Sequence, residues 1–351
     1  MLRKLYQKLC DEILSISTAL MIRISSRKAV AFVYATSANL VYKEKIWRLF
    51  DGQKQRIFLT RTPGEKFVKP KHIWICRLET MISGNSGLEK RFFRNIPVRI
   101  HVPHSTTSLT HIYPMGAFDA FNHIFAIGRF HSAEVNKWFP HMDVHEVGYM
   151  MLYGELNKLY ASSNEKILLA FSWYEGNILE EAPTQLFDKL IELGFEIHIR
   201  PHPGHLVHNK EVIDEILQTY PKDVFLDLSP RADFGDFYYL FTDWSGVALE
   251  FAFATERPVF FVDSKQKINN LSVDQSYVPM EAKIRGSIGP IVSPDDCDNF
   301  RTLLKETEER SEFIVDEIRR LKYEEFYCYG HEAAEACEKL KKLSGVTHDK
   351  A

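Results

Sequence analysis

The chain alternates between short apolar runs and longer segments whose apolar residues recur every three or four positions. The short runs predict buried strands, and the longer segments predict helices that cover them. The predicted strands are 29–34, 56–59, 72–76, 98–102, 122–127, 144–148, 166–170, 195–199, 224–228, 238–241 and 259–262. The predicted helices are 43–50, 132–139, 184–193, 211–219, one that follows Gly246, and a charged helical tail over 295–343.

Two successive sets of this alternation predict an α/β protein with two doubly wound, Rossmann-like domains. We place the first domain at 29–150 and the second, with C-terminal helices, at 151–345. Ligands of such folds bind at the carboxyl ends of strands, so we expect the two domains to face each other across a shared cleft.

Residues 1–28 predict an amphipathic helix with basic flanks. Its apolar positions are Leu2, Leu5, Leu9, Ile13, Ile16 and Leu20, and its basic residues are Arg3, Lys4, Lys8, Arg23, Arg27 and Lys28. Such a helix can lie on an anionic membrane surface. The alternative is a helix that packs on its own domain or on a second subunit, and the pattern alone does not choose between them.

Composition narrows the class of protein. The 351 residues carry a formal net charge of −3, which argues against a nucleic-acid partner. The five cysteines are scattered, with no C-x-x-C pair, as expected of reduced thiols in the cytoplasm. We also expect no membrane span and no signal peptide. The predicted location is therefore cytoplasmic, with peripheral contact on the inner face of the cell membrane if 1–28 binds lipid.

The turn at Ser245 and Gly246 breaks a strand and opens a helix, which leaves backbone N–H groups at the start of that helix. Those donors and the positive end of the helix dipole suit a phosphate or diphosphate. Gly246 allows close approach of the ligand, Ser245 adds a hydroxyl, and Glu250 is placed to meet ribose hydroxyls. The alternative is an ordinary crossover in which Ser245 caps the helix.

Two further loops that follow predicted strands carry histidines. In 101–107, His104 precedes three hydroxyl residues and suits removal of a proton from an alcohol. The alternative is a structural histidine bonded to nearby backbone. In 198–205, Arg200, His202 and His205 suit a diphosphate and the stabilisation of a departing nucleotide.

The second loop also contains histidines at a spacing typical of a metal site on a helix. These are His198, His202, His205 and His208. The prolines at 201 and 203 argue against a helix there, so no metal site is predicted.

These loops, in this order, resemble the CDP-glycerol glycerophosphotransferase family, the teichoic-acid-type polymerases and primases. The resemblance covers about 29–340. The matching segments are His-Ser-Thr-Thr-Ser-Leu at 104–109, Val-Gly-Tyr at 147–149, Ile-Leu-Leu-Ala-Phe-Ser-Trp at 167–173, Ile-Arg-Pro-His-Pro at 199–203, Thr-Asp-Trp-Ser-Gly-Val at 242–247 and Phe-Tyr-Cys-Tyr-Gly-His at 326–331.

The resemblance implies the two-domain GT-B architecture, with the acceptor in the first domain and the nucleotide donor in the second. It also implies metal-independent transfer of glycerol phosphate, or a related polyol phosphate, from a CDP-linked donor. The acceptor would be a hydroxyl of a bacterial surface polymer or of a lipid-linked precursor, and no cofactor beyond the nucleotide donor is implied. His104 would be the base and His202 a second catalytic group. The donor site would include Arg200, His205, Thr242, Asp243, Ser245, Gly246 and Glu250.

The chain departs from the family pattern at three places that touch this site. Ser-Thr-Thr-Ser-Leu replaces Gly-Thr-Pro-Leu-Lys after His104, Met-Met-Leu-Tyr replaces Pro-Arg-Asn-Asp after Tyr149, and Gly246 replaces a second serine. These departures leave three alternatives open. They are a glycosyltransferase for capsule or other surface polysaccharide with a nucleotide-sugar donor, a nucleotide-sugar epimerase, and an inactive binding subunit of glycan synthesis. The oligomeric state is not indicated.

Overall fold

The computed structural model describes most of the chain. The described residues are 2–25, 29–34, 55–60, 65–150, 166–181, 183–228, 234–268, 270, 274, 276–294 and 299–344. The predicted helix at 43–50 lies outside these ranges. The chain divides into two compact units. The first contains 1–104, 113–153 and 326–351, and the second contains 105–112 and 154–325.

The first unit is built on a parallel sheet of six strands in the order β2-β1-β3-β4-β5-β6. The strands are β1 (Ala29–Tyr34), β2 (Gln55–Phe58), β3 (Leu78–Ser83), β4 (Val98–His101), β5 (His123–Ala126) and β6 (Asp143–Glu146). The accompanying helices are α1 (Leu2–Ser25), α2 (Lys90–Phe93) and α4 (Arg129–Trp138). The chain leaves this unit after β4 for α3 (Leu109–Ile112), which belongs to the second unit.

The second unit has its own six-stranded parallel sheet, in the order β12-β11-β10-β7-β8-β9. The strands are β7 (Lys166–Leu169), β8 (Glu196–Ile199), β9 (Val224–Leu226), β10 (Tyr239–Thr242), β11 (Val259–Val262) and β12 (Ile291–Val292). The helices are α5 (Ile178–Glu181), α6 (Pro183–Glu192), α7 (Pro203–His208), α8 (Lys210–Thr219), α9 (Val247–Thr255), α10 (Met280–Lys283), α11 (Phe300–Glu309) and α12 (Ser311–Arg320).

Apolar side chains from the strands and covering helices form the core of the second unit. Leu169, Phe187, Ile197, Phe241 and Phe260 are fully buried in one cluster. Their near-continuous apolar runs are typical of parallel strands that are covered on both faces. The prediction of two Rossmann-like α/β units is confirmed.

The prediction of a strand at 72–76 is wrong. The segment Pro70–Cys76 is a 3-10 helix, and the strand of this region is β3. Pro70 stands at the start of that helix, where its missing N–H costs nothing. Ile73 and Cys76 are buried three residues apart, and side chains three positions apart lie on one side of a 3-10 helix.

The C-terminal segment from Phe326 belongs to the first unit, although the sequence placed it with the second domain. Phe326 bridges Gly128, and the N–H of Tyr327 donates to the carbonyl of Ile127 at 3.1 Å. The last helix, α13 (Glu332–Ser344), follows directly. The composition of the sequence does not change where the chain returns to its first unit. The strand–helix alternation therefore could not reveal this return.

Gly148 explains why the returning segment fits closely. Its φ of +97° lies in the region that glycine favours, and a Cβ there would approach the carbonyl oxygen of Tyr327 to 2.2 Å. The same Cβ would come within 2.6 Å of Glu332 Cγ. The Val-Gly-Tyr turn at 147–149 therefore forms part of the surface on which the C-terminal segment packs.

Candidate functional site

The order of strands in the second unit reverses between β7 and β10. If β7 to β12 are numbered 1 to 6, the strand order of this sheet is 3-2-1-4-5-6, which is the order of dinucleotide-binding folds. In such sheets ligands bind where the strand order reverses, outside the carboxyl ends of the strands. The chain leaves β7 at 170–173 and β10 at 243–246. The predicted Ser245–Gly246 turn therefore lies at the position where the topology favours a ligand.

Helix α9 begins at this turn, and a hydroxyl-rich segment of the second unit packs on its N-terminus. A Cβ on Gly246 would lie 2.5 Å from Ser105 Oγ, so the glycine allows this close approach. Thr106 Oγ1 donates to the carbonyl of Gly246 at 2.9 Å. Ser245 Oγ accepts from the N–H of Val247 at 3.4 Å. Hydroxyls from two distant parts of the sequence thus meet at one helix N-terminus, where the dipole favours an anion.

Glu281 holds the hydroxyl-rich segment in place. Its carboxylate accepts from the N–H of Ser108 at 3.0 Å and from Ser108 Oγ at 2.8 Å, and both side chains are buried. Burial raises the pKa of Glu281, and the two donors of Ser108 partly oppose that rise. Asn270 donates its N–H to the carbonyl of His111 at 3.2 Å, which fixes the end of α3.

Thr242 and Asp243 tie the ends of β7 and β10 together. Thr242 Oγ1 donates to the carbonyl of Ala170 at 2.5 Å, and Asp243 Oδ1 accepts from the N–H of Ser172 at 2.8 Å. Both side chains are fully buried. These contacts give both residues a structural part in shaping the turn, and their assignment to the donor site stays a prediction.

Arg200 lies at the end of β8 and is engaged with Asp227. Its Nε and Nη2 donate to Asp227 Oδ2 at 3.1 and 2.5 Å, and its guanidinium lies 5.4 Å from the ring centroid of Phe234. Both partners of the ion pair are largely buried. The guanidinium is thus pre-oriented by a carboxylate, and its contact with a diphosphate stays a prediction.

The two histidines of the 198–205 loop have different environments. His202 is exposed and caps α7, because its Nδ1 accepts from the N–H of Gly204 at 3.0 Å. This bond requires an unprotonated Nδ1, so the neutral ring carries its proton on Nε2 as a donor. His205, in contrast, is fully buried, and its Nε2 lies 3.2 Å from Asn177 Oδ1. Asn177 Nδ2 donates to the carbonyl of Tyr174, which orients its Oδ1 as the acceptor.

The loop contains helix α7, so the prediction that its prolines exclude a helix is wrong. Pro203 occupies the first position of α7, where proline is favoured, and His202 is the N-cap. Among the residues that the structure describes, no group of three or more His, Cys, Asp or Glu side chains is arranged to hold a metal ion.

Asp243 and His205 are expected to make the stability of the fold change in opposite directions between about pH 4 and pH 6. Burial raises the pKa of Asp243 to about 6, against the effect of the Ser172 N–H and of Lys267. Burial, and then Lys267, lowers the pKa of His205 to about 4. A raised acid pKa stabilises the fold at low pH and loses that effect as pH rises through 6. A lowered histidine pKa does the reverse, and its effect is lost as pH falls through 4.

We therefore expect Asp243→Asn to gain stability relative to the parent protein as pH rises from 4 to 6, by about 2 kcal/mol. His205→Gln should lose stability relative to the parent over the same range. Urea unfolding at several pH values measures both differences. A pH-independent difference for Asp243→Asn would contradict the buried, raised-pKa carboxyl.

In the first unit, His104 is fixed from two sides at the end of β4. His104 Nδ1 lies 3.0 Å from the carbonyl oxygen of Gly84, so Nδ1 carries the proton that it donates. The neutral ring then has its lone pair on Nε2, which is the state a general base needs. Tyr149 donates its hydroxyl to the carbonyl of His104 at 3.0 Å. The Gly-Tyr turn thus supports the backbone of the histidine.

A pocket in the first unit lies beside this histidine, where the order of its sheet reverses between β1 and β3. It is small and is lined by Phe32, Val33, Tyr34, Ile82, Ser83, Gly84 and Val102. Gly84 belongs both to the pocket wall and to the His104 contact. His104, which follows β4, thus contacts the backbone just after β3, one of the two strands at the reversal in the first unit.

Sequence reasoning missed the role of Ser105, Thr106 and Glu281 in the second unit. The run of hydroxyls after His104 was visible, but the prediction placed it in the first domain, at the acceptor side. Glu281 stands alone in sequence, and nothing in its neighbourhood indicates a partner at Ser108. Glu250, the predicted ribose partner, is half-buried in the first turn of α9, and that role stays a prediction.

Comparison with known proteins supports the fold. No protein-family model matches the sequence, and a search of curated proteins found no match either. Among solved structures, the wall teichoic acid polymerase TagF, soaked with CDPG, aligns with a TM-score of 0.56 and 15% identity over 98% of this chain and 97% of that chain. The Methanocaldococcus jannaschii UDP-GlcNAc 2-epimerase, in complex with UDP-GlcNAc and UDP, aligns with a TM-score of 0.59 and 10% identity over 90% and 99%.

A third structure, the UDP-N-acetylglucosamine 2-epimerase of Rickettsia bellii, aligns with a TM-score of 0.55 and 10% identity over 90% of this chain and 95% of that chain. The chain has a GT-B-type fold. At these identities the likeness concerns the fold, and a fold of this kind hosts more than one chemistry.

Proposed function

We propose that this protein is a transferase that uses a nucleotide-diphosphate donor. The second unit binds the donor diphosphate at the N-terminus of α9, with the hydroxyls of Ser105 and Ser245 and the Nε2–H of His202 as further donors, while Thr106 holds the segment on the carbonyl of Gly246. The transferred group is glycerol phosphate or a related polyol phosphate from a CDP-linked donor. The acceptor is a hydroxyl of a bacterial surface polymer similar to teichoic acid.

In the proposed reaction, His104 Nε2 takes the proton of the acceptor hydroxyl. The acceptor oxygen forms a bond to the phosphorus that carries the polyol, and the bond from that phosphorus to the bridging oxygen of the diphosphate breaks. The electron pair leaves with the nucleoside monophosphate. Fixed N–H and O–H donors at the start of α9 stabilise the negative charge on the phosphates.

One observation carries the proposal, namely that Ser105, Thr106, Ser245 and Gly246 gather at a helix N-terminus where the strand order reverses. The strand-end motifs at 104–109, 199–203 and 242–247 add support because they resemble those of glycerophosphotransferases. The alignment with TagF over nearly the whole of both chains agrees with that resemblance.

A nucleotide-sugar enzyme is the second candidate, either a glycosyltransferase or an epimerase. The observation that favours it is the alignment with two UDP-GlcNAc 2-epimerases. The departures from the family motif after His104 and Tyr149 point the same way, because they alter the surroundings of the reacting groups. The same departures keep an inactive binding subunit as a non-enzyme candidate.

Thermal shift with CDP-glycerol, CDP-ribitol and UDP-GlcNAc tests the proposal. A donor at about 100 times its Kd should stabilise the fold by about 2.7 kcal/mol. Ser245→Ala should weaken binding of that donor about tenfold, because a hydrogen bond to a charged group is lost. Ser276→Ala is the matched control, since Ser276 is an exposed serine of the same unit.

Product analysis then separates the candidates. A phosphodiester product with release of CMP supports polyol-phosphate transfer, a glycosidic bond supports a glycosyltransferase, and a free sugar supports an epimerase. Donor binding without turnover would identify a binding subunit. Stabilisation by none of the three donors would reject the proposed site.

A further inference from the structure

Helix α1 presents an apolar face to solvent. Six large apolar residues on its outer side are exposed by 39 to 83%, and Ile24 is the most exposed of them. They are Tyr6, Leu9, Ile13, Ile16, Leu20 and Ile24. Leu14 and Met21, exposed by 40 and 61%, widen the face to about half of the helix circumference.

The opposite side of α1 already packs on the first unit. Ser15, Thr18, Ala19 and Ile22 are buried, and Ser15 Oγ accepts from the N–H of Lys69 at 2.8 Å. Glu12 forms ion pairs with Lys69 at 2.7 Å and Lys71 at 3.0 Å. The helix is therefore anchored by its smaller and more polar side. A surface helix of a globular protein normally turns its apolar stripe inward, and α1 does the reverse.

The charge of this region is opposite to that of the whole chain. Residues 1–28 contain six basic and two acidic side chains, whereas the complete chain has a net charge of −3. Glu12, one of the two acids, is neutralised by Lys69 and Lys71, and these contacts lower its pKa to about 2. The apolar face thus lies in a positively charged part of an otherwise acidic protein.

We propose that α1 is a docking surface for an anionic lipid membrane and lies in its interface. A broad apolar face with basic flanks suits a planar lipid surface, which buries apolar area and attracts cations. A second copy of the chain fits less well, because a helical dimer would bring two helices of the same positive charge together and would use a narrower seam. Among the helices that the structure describes, none is long and apolar enough to cross a membrane.

The test is sedimentation of the full chain with phosphatidylcholine vesicles that contain or lack phosphatidylglycerol. We expect binding to the anionic vesicles and weaker binding at high salt. The triple variant Leu9→Ser, Ile13→Ser and Leu20→Ser should bind at least about tenfold more weakly. These side chains are exposed, so the variant should keep the fold, which circular dichroism checks. Phe313→Ser, at an exposed residue of α12, is the control and should bind as the parent does.

Two results would overturn the proposal. The first is equal binding of parent and triple variant to anionic vesicles. The second is a dimer in the absence of lipid that the triple variant dissociates, as measured by analytical ultracentrifugation, since this would assign the face to a second copy of the chain. Neither result depends on whether the protein is a transferase.

Discussion

His104→Ala is expected to lower transfer by about 100- to 10,000-fold, the usual contribution of a general base. The reason is the fixed tautomer, since the contact of Nδ1 with the carbonyl of Gly84 leaves the lone pair on Nε2. Donor binding should remain, because the donor site that we propose lies in the second unit. The measurements are steady-state kcat with the donor that binds and the thermal shift of the variant with that donor.

The matched control is His141→Ala, because His141 is an exposed histidine of the same unit. That variant should retain the activity of the parent. His104→Gln separates basicity from hydrogen bonding, since an amide can donate to the carbonyl of Gly84 but cannot accept the acceptor proton at neutral pH. Full turnover by either His104 variant would remove this residue from the mechanism.

Strand prediction succeeded where the apolar runs were continuous. The runs at 29–34, 166–170 and 259–262 became β1, β7 and β11 with changes of at most one residue. These strands are covered on both faces, so every position favours an apolar residue and the run is easy to recognise. The segment 72–76 has the same composition but follows Pro70, and local helical geometry prevailed there.

The candidate site could be located from sequence only in part. The strand-end loops were visible because parallel strands collect their carboxyl ends at one edge, and His104, His202 and Ser245 follow such ends. Which hydroxyls meet at α9 could not be predicted, because Thr106 and Gly246 are 140 positions apart. The burial of His205 was equally hidden, since the start of α7 at Pro203 turns its side chain inward.

Glu281→Ala is expected to detach the hydroxyl segment from the N-terminus of α9. It removes the acceptor for the N–H and the hydroxyl of Ser108, both buried, and each unsatisfied donor costs about 1 to 3 kcal/mol. We therefore expect a loss of about 2 to 5 kcal/mol in the free energy of unfolding, measured with urea. Donor affinity should fall as well, because Ser105 and Thr106 lose their fixed position beside Gly246.

Glu281→Gln and Ser108→Ala distinguish this local effect from general damage. Gln keeps an acceptor for the Ser108 N–H, so it should recover most of the stability and the donor affinity. Ser108→Ala removes one of the two hydrogen bonds and should lie between the parent and Glu281→Ala. The exposed Glu312 supplies the control, and Glu312→Ala should change neither quantity. Unchanged donor affinity in a folded Glu281→Ala protein would mean that the hydroxyl segment takes no part in donor binding, and the diphosphate site would then rest on Ser245, His202 and the helix N-terminus.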